Sequence, residues 1–444
     1  MSTTISFKTS TFGLLLAGAL ALLAGCSDRQ GPATPAAPAS DATAAPVATA
    51  DEAALVERGE YLARAGDCMA CHSVVGKAPY SGGLAIKSGV GTIYSTNITP
   101  DKTAGIGHYS EQQFADAVRR GVRADGQHLY PAMPYPDYVK TTDEDMHALY
   151  VYFTKGVKPS AERPPETALS FPFSMRWGMG VWNMAFAENE PFVAPAGATG
   201  ELARGAYLVQ GLGHCGSCHT PRGVAMNQKA FDDGSASFLA GGELNDWHVP
   251  ALRGLPHWTR EEIVDYLATG RNAKAAVAGE MTSVVANSTS HLNDADLNAI
   301  AVYLQSLTPA KPAAQPDEAA NQATTAKLTA ATGLGEGQRL YIDNCVACHF
   351  VDGRGAPRVF PRVDGASIVN ADNPTALVQV ILGGAQTPST ARGPAVLPMP
   401  GFAERLSDQE VADLATFVRS GWSNKAGAVS ASQVAKARKA LHDE

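Results

Sequence analysis

The sequence predicts a mainly α-helical protein built from one unit that occurs three times in tandem. Two observations support this prediction. The motif CxxCH appears three times, as "CMACH" at 68–72, "CGSCH" at 215–219 and "CVACH" at 345–349, and each copy is followed by an amphipathic helical pattern. With 444 residues, 45% of them hydrophobic, the chain is long enough for three domains of about 100–200 residues each.

The three helical patterns downstream of the motifs can be aligned letter by letter. They read "TDEDMHALYVYF" from Thr142, "NDADLNAIAVYL" from Asn293 and "SDQEVADLATFV" from Ser407. In each, a Thr, Asn or Ser can cap the first turn, acidic residues follow, and apolar residues recur every three or four positions. A short helical stretch with a glycine, an aromatic residue and a leucine precedes each motif. We therefore predict one helix before and one capped helix after every CxxCH.

Six of the seven cysteines lie in the CxxCH motifs, which predict covalent attachment of c-type haem. Two thiols form thioether bonds to the porphyrin vinyl groups, and the adjacent histidine is then placed below the iron as its proximal ligand. A zinc site would need paired clusters, whereas the motifs lie at least 127 residues apart (218 to 345). A thioredoxin-like dithiol gives no reason for the histidine. The predicted thioether residues are Cys68, Cys71, Cys215, Cys218, Cys345 and Cys348, and the predicted proximal ligands are His72, His219 and His349.

The sixth iron ligand separates electron transfer from haem catalysis, and methionines are candidates for it. Met399, in "VLPMPGF", is the only methionine after His349. In the first unit, Met133 in "YPAMPYPDY" is followed by proline as Met399 is, whereas Met146 aligns with apolar core positions of the other two capped helices. Met133 and Met399 are therefore the predicted ligands of the first and third irons. The alternative role for either thioether is to fill a gap in the packing.

In the second unit the predicted sixth ligand is Met281. It follows His219 by 62 residues (219 to 281), close to the spacing of 61 residues in the first unit (72 to 133). Met226 lies only seven residues past His219 (219 to 226), too near to cross the haem easily. His291 is a rival ligand, and its other interpretation is a polar residue just before a helix cap.

Ligation by histidine and methionine leaves the iron six-coordinate, with a raised reduction potential and no open position for peroxide or oxygen. We therefore expect electron transfer and no catalytic residue on this chain. Each proximal histidine should donate its other ring N–H to a fixed acceptor. The shared pattern in "VPALRG" and "FPRVDG" indicates the backbone carbonyls of Pro250 and Pro361 as two such acceptors.

The N-terminus reads as an export signal. Lys8 precedes an apolar run from about Phe12 to Leu23 that is too short to span a membrane comfortably, and small residues lead to Cys26. We predict a lipoprotein signal peptide at 1–25 and a lipid on the Cys26 thiol; an ordinary signal peptide with a chance cysteine is the alternative. Residues 26–52 are rich in Ala and Pro and predict a tether. The net charge of −8 argues against a nucleic-acid partner.

Over about residues 53–424 the chain resembles the tri-haem cytochrome c subunits of bacterial membrane-bound dehydrogenases of the alcohol, gluconate, sorbitol/fructose or aldehyde type. The resemblance rests on the three motifs together with "STNITPDKTAGIGHYS", "FPFSMRWGMGVWNMAF", "FLAGGELNDWHVPALRG" and "NSTSHLNDADLNAIAVYL". It implies class I cytochrome c domains, at 53–158, 199–310 and 333–424, and three covalently bound haem c. The implied axial pairs are His72 with Met133, His219 with Met281, and His349 with Met399.

The same resemblance implies partners and a location. A catalytic subunit of the flavin, quinoprotein or molybdenum type would pass electrons through the haems to membrane quinone or another redox protein. The location would be the periplasmic face of a bacterial membrane, which we expect to be the cytoplasmic membrane. Relatives of this type often attach by a C-terminal amphipathic stretch, whereas here the predicted lipid is on Cys26.

Three segments connect or follow the domains. Residues 159–198 are predicted to be a linking strap, in which Trp177 and Trp182 pack between domains or contact quinone, a partner or lipid. Residues 311–332 are predicted to be a flexible linker. The tail at 425–444 is weakly amphipathic and predicts a surface helix or a membrane contact.

Two other functions remain open from the sequence. One is an independent multi-haem shuttle that delivers electrons to a terminal oxidase without a dedicated dehydrogenase. The other is a peroxidase-like haem enzyme, which would need one open or displaceable sixth position on an iron.

Overall fold

The computed structural model describes residues 47–244, 247–310 and 316–443. The predicted signal peptide, Cys26 and residues 26–46 of the predicted tether lie outside these ranges. The described part is mainly helical, as the sequence predicts, and its strands form small antiparallel sheets. Among the described helices, none is both long enough and apolar enough to cross a membrane.

The first repeat contains the first CxxCH. Its helices are α1 (Val47–Ala65), α2 (Cys68–His72), α3 (Glu111–Arg120), α4 (Tyr135–Tyr138) and α5 (Asp143–Val151), which continues into a π-helical turn (Tyr152–Gly156). Its strands β1 (Ala85–Ser88) and β2 (Gly91–Tyr94) pair with each other, and β2 also pairs with β3 (Ala168–Leu169) from the segment that follows. That segment, 159–198, also contains α6 (Gly178–Phe186).

The second and third repeats also place a helix before the CxxCH helix and a capped helix near their end, but the third has its paired strands after two helices and the second has them directly after the CxxCH helix. The second has α7 (Gly200–Gln210), α8 (Gly216–His219), the hairpin β4 (Gly242–Leu244) and β5 (Trp247–Val249), α9 (Arg260–Thr269), α10 (Met281–Asn287), a 3-10 turn (Thr289–His291) and α11 (Asp294–Ser306). The third has α12 (Glu318–Ala330), α13 (Glu336–Asn344), α14 (Val346–His349), α15 (Ser367–Asn370), α16 (Thr375–Gly383), the paired strands β6 (Ala385–Gln386) and β7 (Pro398–Met399), α17 (Asp408–Ser420) and α18 (Ala431–Asp443).

In every repeat the helix before CxxCH crosses the capped helix after it: α1 on α5, α7 on α11, and α13 on α17. A glycine lies at each crossing, and a Cβ atom there would overlap a backbone carbonyl oxygen of the other helix. The three pairs are Gly59 with Ala148, Gly205 with Ala299, and Gly337 with Asp413. Only glycine permits so close an approach, which explains why a glycine precedes each motif at the same place.

The predicted caps of the three downstream helices are confirmed. The side chains of Thr142, Asn293 and Ser407 each accept a hydrogen bond from the backbone N–H three residues later. Met146 is 2% exposed and lies in the core, as its alignment predicts.

The first and second repeats share one hydrophobic core, and the third has its own. The shared core extends from Leu62 and Leu149 in the first repeat to Leu208 and Leu297 in the second. The third repeat packs beside the second: the amide of Asn373 donates 2.9 Å to Glu243, which lies on β4. The second repeat therefore has contacts with both of the others.

Two connecting segments differ from the sequence expectation. Within the expected linker 311–332, residues 318–330 form α12, whose Leu328 is 2% exposed in the core of the third repeat. The segment is rich in alanine, and the Asp317 side chain caps the helix, so it can form a helix despite its low hydrophobicity. The tail forms α18, and it buries Val434 and Ala437 in the same core. The apolar side of the tail is thus packed against the protein.

Candidate haem-binding sites

The six cysteines of the three motifs are free and half-buried. In each motif the chain turns into a short helix that presents both thiols to the same side, one turn apart. Burial raises the pKa of the Cys68, Cys215 and Cys345 thiols to about 12. Two free thiols held close together are what thioether bonds to the two vinyl groups of one haem require.

The three motif histidines have one common arrangement. In each, the Nδ1 atom lies within hydrogen-bond distance of a backbone carbonyl oxygen. The pairs are His72 with Thr96 at 2.6 Å, His219 with Pro250 at 2.7 Å, and His349 with Pro361 at 2.9 Å. A carbonyl oxygen only accepts, so Nδ1 carries the proton and Nε2 keeps its lone pair. Burial also lowers the pKa of each imidazole, which favours the neutral ring. This is the tautomer and charge that a metal ligand needs.

The predicted roles of Pro250 and Pro361 as acceptors are confirmed, and the equivalent Thr96 was missed because it is not a proline. The three acceptor residues nevertheless have one sequence feature in common. An apolar residue follows each acceptor by two positions, and its N–H donates to the carbonyl of a residue with a left-handed backbone. These donor–acceptor pairs are Ile98 with Tyr80, Leu252 with Leu239, and Val363 with Gly353.

The second and third sites open into one continuous cavity of about 1660 Å³. A pocket for one small molecule usually measures about 300–1,000 Å³, so this cavity exceeds the space that a single ligand needs. It is lined by both motifs and by both predicted sixth ligands, namely Cys215, Cys218, His219 and Met281 with Cys345, Cys348, His349 and Met399. The structure thus brings together the residues predicted for each of these two sites.

Met281 reaches the cavity as the first residue of α10. The preceding Gly279 has a left-handed backbone (φ 59°), and the ring of Trp247 lies against it, where a Cβ atom would come within 2.8 Å. His291, the rival ligand, is exposed, and its Nε2 donates 3.1 Å to the carbonyl oxygen of Ala286. The geometry therefore favours Met281.

Met399 lies on the short strand β7, opposite Ala385 of β6. It is half-buried and packs against the core of the third repeat together with Cys345. Because β7 is paired and its neighbour Gly384 approaches the carbonyl of Met399, this part of the chain is held on both sides. The thioether is therefore carried by a supported segment at the cavity wall.

Met133 lies in the loop between α3 and α4, half-buried against the same core as Cys68. The helix that follows it turns toward the second repeat. There Asp137 accepts 2.8 Å from the hydroxyl of Ser217, which is inside the second CxxCH. Burial raises the pKa of Asp137 to about 6, against the hydrogen bonds that lower it. In return, α10 contacts α2, the first CxxCH helix.

The residues before the first cysteine of two motifs were missed by sequence reasoning. Asp67 and His214 have left-handed backbones (φ 51° and 36°) and line the large cavity. Burial raises the pKa of Asp67 to about 8, and its Oδ1 has no hydrogen-bond partner among the described residues. Burial lowers the pKa of His214 to about 4, and its ring packs edge-on against Tyr138 at 5.5 Å. Only their position beside the motif marks them in the sequence.

The residues present fit c-type haem: free thiol pairs, histidines oriented by a carbonyl, and, at the second and third sites, methionines on a large apolar cavity. A protein with this fold and these sites is a c-type cytochrome. The Cytochrome c family model matches residues 202–308 and 334–422, within the second and third repeats.

Relatives that match most of the chain define the family more closely. The chain is 47% identical over 397 residues to the cytochrome c subunit of alcohol dehydrogenase (quinone) from Gluconacetobacter polyoxogenes, covering 87% of this chain and 85% of the relative. It is 45% identical over 400 residues to the gluconate 2-dehydrogenase cytochrome c subunit of Pantoea cypripedii, covering 87% and 90%. The fructose dehydrogenase cytochrome subunit of Gluconobacter japonicus is 38% identical over 411 residues, covering 86% and 82%.

The chain belongs to this family of dehydrogenase cytochrome c subunits, and the resemblance seen in the sequence is confirmed. Membership implies covalently bound haem c and a role in electron transfer.

Proposed function

We propose that this chain is the electron-transfer subunit of a membrane-associated dehydrogenase complex. It would carry electrons from a catalytic subunit through three c-type haems to membrane quinone or another respiratory acceptor. The observation that carries the proposal is the threefold arrangement of His72, His219 and His349, each with Nδ1 bonded to a backbone carbonyl. Three equivalent sites on one chain suit serial transfer better than three separate reactions.

The chain's own residues have defined roles in this proposal. When bound, haem supplies a one-electron carrier. The cysteine pairs would hold it covalently, and His72, His219 and His349 together with Met133, Met281 and Met399 would supply the ligands to its iron. A site filled by these histidines and methionines would have no open position for oxygen or peroxide, so catalysis on the substrate would belong to a partner.

We further propose that the second site lies in the middle of the transfer sequence. It shares the cavity with the third site, and its Ser217 is bonded to the segment that follows Met133 of the first. The first and third repeats each pack on the second, so electrons entering at either end would pass the central site.

The partner and the location are proposed on the same basis. The named relatives are subunits of alcohol, gluconate and fructose dehydrogenases, so the catalytic partner would be a dehydrogenase of the flavin, quinoprotein or molybdenum type. The sequence pattern that ends at Cys26 supports export, a lipid anchor and a place on the periplasmic face, with the cytoplasmic membrane as the site where quinone is available.

The proposal is tested by purifying the protein from its native membrane and identifying what accompanies it. We expect a stoichiometric dehydrogenase subunit, and we expect its substrate to reduce the haems anaerobically and a soluble quinone analogue to reoxidise them. If no such subunit is present and only an oxidase accepts the electrons, the chain is an independent shuttle. A five-coordinate haem in the resonance Raman spectrum, with peroxide turnover, would instead favour a peroxidase-like enzyme.

A further inference from the structure

Most of the large apolar side chains of the segment 159–198 are exposed to solvent. Phe171 is 79% exposed, Trp177 70% and Met184 82%. Burial of these side chains would be the usual reason for an aromatic segment to pack between domains. Phe192, near the end of the segment, does pack edge-on against Tyr207 at 5.3 Å, but the exposed side chains cannot hold the part around α6, which depends on other contacts.

Several polar contacts made by residues 173–183 of the segment converge on the loop that carries Met133. The guanidinium of Arg176 donates 3.0 Å to the carbonyl oxygen of His128 and lies 4.7 Å from the centre of the Tyr130 ring. The Tyr130 hydroxyl donates 2.9 Å to the carbonyl oxygen of Phe173. Two successive parts of the segment are thereby fixed to residues 128–130, just before Met133.

The third and closest connection is made by Asn183. Its Oδ1 accepts a 2.6 Å hydrogen bond from the hydroxyl of Tyr135, and its Nδ2 lies 3.4 Å from Nδ1 of His128. The helix that carries Asn183 is itself anchored to the second repeat, because the indole N–H of Trp182 donates 2.9 Å to the carbonyl oxygen of Ala225. The segment is thus held at one side while it holds the loop at the other.

Tyr135 transmits this contact to Met133 with little freedom to move. Its backbone N–H donates 2.8 Å to the carbonyl oxygen of Met133, and its side chain is 1% exposed. The ring lies against Gly121, where a Cβ atom would come within 2.7 Å of it. A buried hydroxyl needs a partner, and Asn183 is the partner that the structure provides.

We propose that the segment 159–198 is a clamp on the Met133 loop and that Asn183 is a positioning residue, which acts through Tyr135 to hold the Met133 thioether on the iron of the first haem. The inference rests on the proposed assignment of Met133 as that ligand. Outer contacts of this kind fix the orientation of metal ligands and change the affinity of the site when they are lost. Loss of one hydrogen bond of ordinary strength corresponds to about a fivefold change in an equilibrium.

The test uses the full-length, haem-loaded ferric protein and imidazole as a competitor for the sixth position. Binding is followed haem by haem through the shifted methyl resonances of the ligand methionines in the proton NMR spectrum. We expect Asn183→Ala and Tyr135→Phe each to strengthen imidazole binding at the first haem about fivefold, and the double variant to do no more than either. The other two haems should not change.

Two further variants separate the outcomes. Asn183→Asp keeps an oxygen that accepts from Tyr135, so it should restore the behaviour of the unchanged protein, while Met184→Ala, an exposed neighbour on the same helix, should have no effect. If Met133→Ala leaves the resonances of the first haem unaltered, the ligand assignment itself is wrong. If Met133→Ala alters them but Asn183→Ala and Tyr135→Phe leave imidazole binding unchanged, the clamp is overturned and the assignment stands.

Discussion

The hydroxyl of Tyr207 in the second repeat donates a 2.6 Å hydrogen bond to the buried carboxylate of Asp145 in the first. The reverse contact is also present: Tyr61 of the first repeat donates 2.6 Å to Asp296 of the second. In the first repeat Arg58, which is on the same helix as Tyr61, binds the carboxylate of Asp145. In the second repeat Arg204, which is on the same helix as Tyr207, binds the carboxylate of Asp296. The two repeats therefore face each other as a pseudo-twofold pair, joined by two exchanged hydrogen bonds.

Removing one exchanged hydrogen bond should weaken this pair. In Tyr207→Phe, Asp145 stays buried and bound to Arg58 but loses its second donor. We expect the free energy of unfolding to fall by about 1.5–3 kcal/mol, the usual range for a hydrogen bond to a charged group. Denaturant titration of the haem-loaded protein measures this fall.

Tyr150→Phe is the matched control: its hydroxyl donates to a backbone carbonyl within the first repeat, so the loss should be about 0.5–1.5 kcal/mol. Equal losses would argue against a special role for the exchanged pair.

Asp296 should make stability fall in acid. Burial alone would raise its pKa, but the hydrogen bonds from Arg204 and Tyr61 lower it below the usual value. A carboxylate with a lowered pKa contributes stability that is fully present above the ordinary aspartate value of about 3.9 and is lost as the pH falls below that value. Asp296→Asn should therefore be less stable at neutral pH and should lose less on acidification. Parallel pH profiles for the two proteins would contradict this account.

Met281 and His291 are the two candidates for the sixth ligand of the second haem iron, and one substitution of each distinguishes them. Met281→Ala should remove the methionine signal of one haem and lower one of the reduction potentials, because the thioether raises the potential of the iron it binds. His291→Ala should leave the NMR spectrum and all potentials unchanged, since this side chain is exposed and bonded to the carbonyl of Ala286. The opposite result, with an effect of His291→Ala alone, would assign the site to histidine.

The helix crossing in the second repeat depends on the absence of a side chain. A Cβ atom on Gly205 would overlap the carbonyl oxygen of Ala299. Neither atom can move without the backbone of its own helix, so the two helices would have to move apart. Overpacking of a core typically costs about 1–3 kcal/mol, so we expect Gly205→Ala to destabilise the protein by at least about 3 kcal/mol or to prevent haem loading. Gly89→Ala, at a position with open space, should be neutral. A thermal melt of both variants decides the matter.

The sequence allows the local parts of each site to be predicted. The CxxCH motifs, the capped helices and the proline acceptors are each defined by residues that are close together in the chain, so their chemistry can be read directly. The role of Thr96 as the acceptor for His72 was not predicted, because the carbonyl of any residue can accept a hydrogen bond. In the sequence this acceptor is marked only by the apolar residue two positions later.

The contacts between repeats could not be predicted in the same way. Tyr61 and Asp296 are 235 positions apart, and nothing near either residue indicates the other. The segment 159–198 was expected to pack between domains by Trp177 and Trp182 or to contact quinone, a partner or lipid; Trp177 is exposed, whereas Trp182 is half-buried and donates to the carbonyl oxygen of Ala225 in the second repeat. In the same way, α12 is held in place by the buried Leu328 and by Asn321, whose buried amide donates 2.9 Å to Asp364, in a stretch whose composition is that of a linker.

The number of haems bound to one chain tests the central claim most directly. The intact mass of the denatured protein, purified from a host that matures c-type cytochromes, gives that number because thioether bonds survive denaturation. We predict a mass that corresponds to three haems, and to two haems when Cys68 and Cys71 are both replaced by serine. A mass with two haems in the unchanged protein, or no change on replacing that pair, would contradict the proposal that electrons pass through three sites.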